Sequence, residues 1–165
     1  MTENLYIKLD NLDDAYSKFS SDTNRVLNEE LGVSINNMAK SVDRKNNINL
    51  NIEVDDCNKE KQDELAGDIK KYFSREKMEI DLTIKRIWII ASLLFVFGAG
   101  LIAVIATINM SFVLYTIVEI CAWVFLWECV DLLCFQIPIN RLRERRYEKL
   151  IKMKISFTSI NDKKI

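Results

Sequence analysis

Three carboxylates, Glu119, Glu128 and Asp131, lie in an otherwise uncharged, mostly apolar run, Phe112 to Ile137. A helix of period 3.6 puts Glu119, Trp123, Trp127 and Asp131 on one i, i+4 stripe, with Thr116 and Cys134 close to it. Acids in such a setting can do two kinds of chemistry. Desolvation raises a carboxyl pKa, so a neutral Glu119 could sit in a helix–helix seam and donate a hydrogen bond to a backbone carbonyl, Thr107 or Thr116. Alternatively, several chains could assemble so that Glu119, with Glu128, forms rings around a cation path. Both readings follow from the cost of the acid, about 2.5–3.5 kcal/mol at the centre of a membrane helix.

Other chemistry is poorly represented. The chain of 165 residues has no histidine, and Cys57, Cys121, Cys129 and Cys134 form no CxxC pair. A zinc site is therefore not expected, and the thiols read as apolar filler. GxSxG, HExxH, a Gly-rich phosphate loop and DxDxDG are all missing. The expectation is a protein that is not an enzyme, with no cofactor and no metal.

The elements that must position these acids begin with Ile87–Ile108, 22 residues without charge. At about 1.5 Å per residue they cover a bilayer core of roughly 30 Å. With Asn109–Ser111 as outer turn and 112–137 as a second span, the pattern predicts a transmembrane helical hairpin. Lys85 and Arg86 precede it, and Arg141, Arg143, Arg145, Arg146 and Lys149 follow it. Positive-inside bias then places both termini in the cytoplasm, as in a bacterial inner membrane. Trp88 and Tyr115 suit the two interfaces. The polar, acidic start of the chain predicts no cleavable signal peptide. Ala99, Ala103 and Thr107 are spaced as small-xxx-small beside Gly98 and Gly100, allowing close approach within the hairpin or between copies.

Charge divides the chain. Residues 1–84 carry 12 basic against 18 acidic residues, and from Lys85 onward the balance is 11 against 6. The basic flanks suit anionic lipid headgroups, and nothing marks a nucleic-acid site.

Alternation in Leu5, Ile7, Leu9, in Ile48 to Val54, and in Ile155, Phe157 predicts three short strands, the last beside Asn49–Val54. Ala15, Phe19, Val26, Leu27, Leu31, Ile35 and Met38 predict helix over Asp13–Ser41, broken at Gly32. Arg44–Asn49 reads as a polar loop. Asp55 or Asp56 is the expected N-cap of a helix, stepping through Leu65, Ile69, Phe73, Ile80 and Ile84, that continues unbroken into the first span. The overall expectation is an α+β membrane protein: a cytoplasmic domain 1–56, a helix 57–86, spans 87–108 and 112–137 around the turn 109–111, a basic helix 138–153 and a C-terminal strand and tail 154–165.

Centring the turn at Asn109–Met110 makes facing residues sum to about 219. Arg86 then opposes Leu133, Glu76 opposes Arg143, and Glu76, Glu79 and Asp81 lie beside Arg141, Arg143, Arg145 and Arg146. Asp131 falls within reach of Lys85 or Arg86, Glu128 is expected to reach upward to the same cluster, and Glu119 comes level with Gly100. Pro138 is expected to bend or interrupt the second helix.

The block Ala122–Asp131, Ala-Trp-Val-Phe-Leu-Trp-Glu-Cys-Val-Asp, with the Arg-rich 141–146 and the strand Lys154–Phe157, resembles small two-span bacterial inner-membrane proteins. Over Asp56–Met153 the plan is similar in architecture to SLATT-type anti-phage effectors, although the flanking strands depart from their mostly helical plan. The resemblance carries no functional residue onto this chain. It implies a homo-oligomeric effector that permeabilises the membrane through a pore when its cytoplasmic domain meets a ligand or protein partner. A membrane-anchored adaptor and an accessory subunit of an ion or proton transporter are the alternatives.

Overall fold

The computed structural model describes residues 2–18, 25–43, 46–55 and 58–159. Phe19, Arg44, Asp56 and Cys57, and the expectations that involve them, lie outside these. The chain is mostly helical with one small parallel sheet, an α+β fold, in the order β1 (Thr2–Lys8), a 3-10 turn (Leu12–Ala15), α1 (Glu29–Ser41), β2 (Asn47–Glu53), α2 (Lys59–Thr107), α3 (Phe112–Asp131), a π turn (Leu132–Gln136), α4 (Ile137–Lys152) and β3 (Lys154–Thr158). It divides into two compact units, Met1–Met78 with Arg145–Ile165, and Glu79–Glu144.

The first unit is built on the sheet β1-β2-β3, parallel throughout. Alternation along β2 sends Ile48, Leu50 and Ile52 to one face, where they are buried. Leu31, Ile35 and Ala39 of α1, Leu65, Ile69 and Phe73 of α2, and Leu150 of α4 complete that core. Full burial of a side chain such as Phe73 contributes about 1.5–3 kcal/mol, so three helices are fastened to the sheet by a few residues each. The opposite face is polar. The Asn49 amide donates to Asn4 Oδ1 at 3.3 Å, and Asn51 and Ser156 are hydrogen-bonded to each other.

Local expectations fail where tertiary contacts outweigh them. Gly32 lies inside α1 and does not break it, for the helix packs there against Tyr72; a Cβ at Gly32 would come within 2.5 Å of the Tyr72 ring. Leu12–Ala15 forms only a 3-10 turn, started by a capping box between Asn11 and Asp14. Asn47–Asn49 belong to β2, not to a loop, because pairing with Thr2–Asn4 satisfies their backbone. Asp55 does not cap α2. Val54 still donates to the Thr158 carbonyl at 3.1 Å, which keeps the chain extended, and Asn58 Oδ1 accepts from the Glu60 N–H at 3.1 Å instead.

Tyr16 pins the segment before α1 to α2. Its hydroxyl donates to Asp68 Oδ2 at 3.1 Å, while Arg25 lies 5.2 Å over its ring and reaches Glu64 at 3.3 Å. Nearer the end of the unit, Lys77 on α2 pairs with Glu148 on α4 at 2.7 Å and holds that carboxyl below its usual range.

In the second unit α2 and α3 run antiparallel around the turn at Ile108–Ser111. Ile87, Ala91, Cys129 and Leu132 form a buried cluster with Leu94, Leu133 and Ile137 against it. Gly98 lies against the Ala122 carbonyl and Leu126, close to the expected register. Pro138 does not interrupt the helix. It follows directly on the π turn, whose i→i+5 bond from the Ile137 N–H to the Leu132 carbonyl resets the helix where the proline lacks an N–H of its own.

Two predictions follow from the first unit. Gly32→Leu should destabilise it by about 1–3 kcal/mol, seen as a lower midpoint in chemical denaturation followed by circular dichroism, because the new side chain has to displace the Tyr72 ring. The Tyr16 phenol is pushed up to about 12 by burial first and then by the Asp68 carboxylate. Between its ordinary value of 10.0 and about 12 the folded state keeps a proton that the unfolded state loses, so stability present below that window declines as pH rises through it. In Tyr16→Phe this part of the alkaline slope should vanish from denaturation curves taken across the window.

Candidate functional site

Composition makes the second unit the place to look. α2 holds an 18-residue stretch of mean hydropathy 2.7 of which 11% is buried, and it is the one helix among the described residues long and apolar enough to cross a membrane. A core helix of that apolarity would be mostly covered; this one is not. Across the turn, Val113, Leu114, Ile117, Ile120 and Val124 of α3 are exposed as well. Apolar surface this extensive on an isolated chain marks contact with lipid or with other protein.

The seam between α2 and α3 is one narrow stripe from each helix. Ile87, Ala91, Leu94 and Gly98 supply one side at a near-heptad spacing, and Ala122, Leu126, Cys129 and Leu132 supply the other. Of Gly98, Ala99, Gly100, Ala103 and Thr107, the small residues expected to allow close approach, only Gly98 lies in this seam. Ala99, Gly100, Ala103 and Thr107 are exposed on the outer surface of α2, and a Cβ added at Gly100 would meet nothing within 4 Å.

The acid stripe also lies off the seam. Trp123 is 66% exposed and Trp127 72%. Glu119 is half-buried and lines a groove of about 150 Å³ with Ile102, Ile105, Tyr115, Trp123 and Leu126. Its expected partners are engaged elsewhere: the Thr107 hydroxyl donates to the Ala103 carbonyl at 2.9 Å, and that of Thr116 to Phe112 at 3.0 Å. Among the described residues Glu119 has no hydrogen bond or ion pair.

Glu128 is exposed and likewise forms no ion pair with a basic residue among those described. Asp131 is half-buried and accepts from Gln136 Nε2 at 3.2 Å; the expected bridge to Lys85 or Arg86 is not made. The π turn explains that choice, since the wider turn holds Gln136, five residues on, beside Asp131.

Lys85, Arg86, Arg141 and Arg143 are exposed, with Arg141 bound to Glu144 of its own helix at 3.1 Å. Arg145 and Arg146 belong to the other unit. In that unit Lys77 of α2 pairs with Glu148 of α4, basic on α2 and acidic on α4, a contact that the expected matching of acids to arginines did not include. Cys121 and Cys134 are exposed free thiols and Cys129 is buried in the seam. Sequence reasoning missed the Tyr16–Asp68 clamp, and it missed the gathering of Lys149, Lys152 and Lys154 at one end of the sheet. The signal for the latter was the alternation of Asn47, Asn49 and Asn51, which marks a polar face on the central strand.

Gly98→Leu should wedge the seam apart, since even a Cβ would stand 3.0 Å from Leu126 and 3.4 Å from the Ala122 carbonyl. A loss of about 1–3 kcal/mol in detergent-phase thermal unfolding is expected, with partial recovery when Leu126→Ala removes the side chain it strikes. Comparison with known protein families, curated proteins and solved structures returns no match, so the functional argument rests on this geometry.

Proposed function

We propose that the chain is a two-span protein of the bacterial inner membrane, with both termini cytoplasmic, that self-associates through its hairpin and alters membrane permeability under control of its α+β unit. The apolar stretch of α2 makes the first crossing. α3, 20 residues long and packed antiparallel to it after a short turn, makes the second. At about 1.5 Å per residue α3 reaches roughly 30 Å, the thickness of the hydrocarbon core.

The observation that carries this reading is Glu119. A carboxyl near the middle of a bilayer is costly without a partner, and its own hairpin provides none among the described residues. A second copy laid against the groove supplies one. Several copies place Glu119, and Glu128 nearer the cytoplasmic end, around a shared axis where water and cations stabilise them. The outward stripe Ala99, Ala103 and Thr107, with Gly100 beside it, admits the close approach of a neighbouring helix that such an assembly needs. The resemblance in plan to SLATT-type effectors adds a biological setting, anti-phage defence, in which the cytoplasmic unit answers a cue and the hairpins open the membrane.

Cells overexpressing the wild-type chain should lose membrane potential and admit an impermeant dye, and Glu119→Gln should reduce both at equal protein level. Undisturbed membranes with both proteins, or a strict monomer in mild detergent, would overturn the proposal.

A further inference from the structure

We propose that the first unit binds a phosphate-bearing anion in a cleft at the amino ends of its three strands. The inference stands on that unit alone and holds whether or not the hairpin conducts.

Parallel pairing brings the first residues of all three strands to one end of the sheet. Thr2 begins β1 and pairs with Asn47, which begins β2; Lys154 begins β3 and pairs with Asn49. The last turn of α4 arrives at the same end, because Met153 alone separates it from β3. The result is a cleft of about 420 Å³ lined by Thr2, Asn47, Asn49, Lys149, Lys152 and Lys154, together with the buried Ile48 and Met153. That volume lies within the usual range of small-molecule sites, about 300–1,000 Å³.

Its charge is one-sided. Three ammonium groups line the cleft and no carboxylate does. Lys149 is held by a 3.3 Å hydrogen bond to the Asn46 carbonyl, while Lys152 and Lys154 have no ion-pairing carboxylate within 4.0 Å among the described residues; Glu148, which acts on Lys152 at longer range, is already paired with Lys77. Glu3, on the neighbouring strand position, is engaged by the Asn46 amide at 2.6 Å.

The carbonyl end of α4 favours cations in its last turn, which accounts for Lys149 and Lys152 taken singly. It does not account for a third lysine brought in from β3 without a compensating acid. Bringing like charges together costs energy that a bound phosphate anion would recover, and a lysine ammonium binds phosphate as a compact point charge. Thr2, Asn47 and Asn49 add hydroxyl and amide groups able to orient the rest of a polar ligand. The phosphate could belong to a soluble metabolite or to a lipid headgroup, which share this chemistry.

The experiment is isothermal titration of the full chain in neutral detergent with three probes: inorganic pyrophosphate, ATP and short-chain phosphatidylglycerol, with short-chain phosphatidylcholine as the uncharged-headgroup reference. Binding of pyrophosphate or ATP supports a soluble ligand, and binding of phosphatidylglycerol alone supports a headgroup. In either case Lys152→Ala with Lys154→Ala should weaken it about tenfold or more, and Lys8→Ala, at the other end of β1, should leave it unchanged. Lys154→Glu, a single exposed substitution checked by circular dichroism for an intact fold, should abolish it. No binding by any probe, or binding that survives the lysine substitutions, would overturn the proposal. Because the readout is heat of binding and not permeability, failure of the channel reading leaves this result intact.

Discussion

The backbone pairing of β3 on β2 is the constraint from which the rest follows. β2 ends at Glu53 and β3 begins at Lys154, so the chain leaves the sheet, runs through α2, α3 and α4, and returns to lie parallel to the strand it left. Closing so long an excursion costs entropy, but the cost grows only as the logarithm of its length. Burial repays it, because the same sheet face collects Phe73 from the outgoing helix and Leu150 from the returning one. Both helices therefore leave the first unit with a fixed origin.

The two units solve opposite problems of solvation. The first has an ordinary core and a polar exterior, with Tyr16, Asp68, Arg25 and Glu64 closing the segment that crosses α2. The second has a narrow seam and an apolar exterior. A soluble unit reverses this distribution, for water rewards a covered core and an exposed polar surface. In lipid the exterior is unremarkable and the acids become the anomaly. That inversion makes Glu119 informative, because among the described residues it has no hydrogen bond or ion pair.

Ion pairing shows how weakly exposed charge specifies register. A hairpin drawn from the position of the turn alone matches acids on the first helix to arginines on the second. In the structure Arg141 turns to its own helix, Asp131 takes an amide, and Lys77, the residue after Glu76, meets Glu148. Exposed pairs contribute only about 0–1 kcal/mol each, too little to compete with the packing of Phe73 and Leu150 or with a π turn that resets the helix before Pro138. Apolar contacts set the alignment, and the charges then find what partners they can.

Periodicity alone determined the strands at Leu5, Ile48–Val54 and Ile155, the long unbroken α2, and the position of the turn before Phe112, because each is dictated by the local spacing of apolar residues. Composition likewise determined that three acids occupy an apolar helix. Tertiary structure decided the rest. Gly32 stays helical because Tyr72 packs on it, Asn47 joins the sheet because β1 pairs with it, and Asn58 caps α2 because Val54 is still bonded to β3. It also decided which stripe of each hairpin helix faces inward, leaving Glu119, Trp123 and Trp127 off the seam, and it drew three lysines distant from Asn47 in sequence to that strand's first residue. Such outcomes depend on contacts between residues far apart in the chain, whose energies exceed the local preferences that a sequence displays.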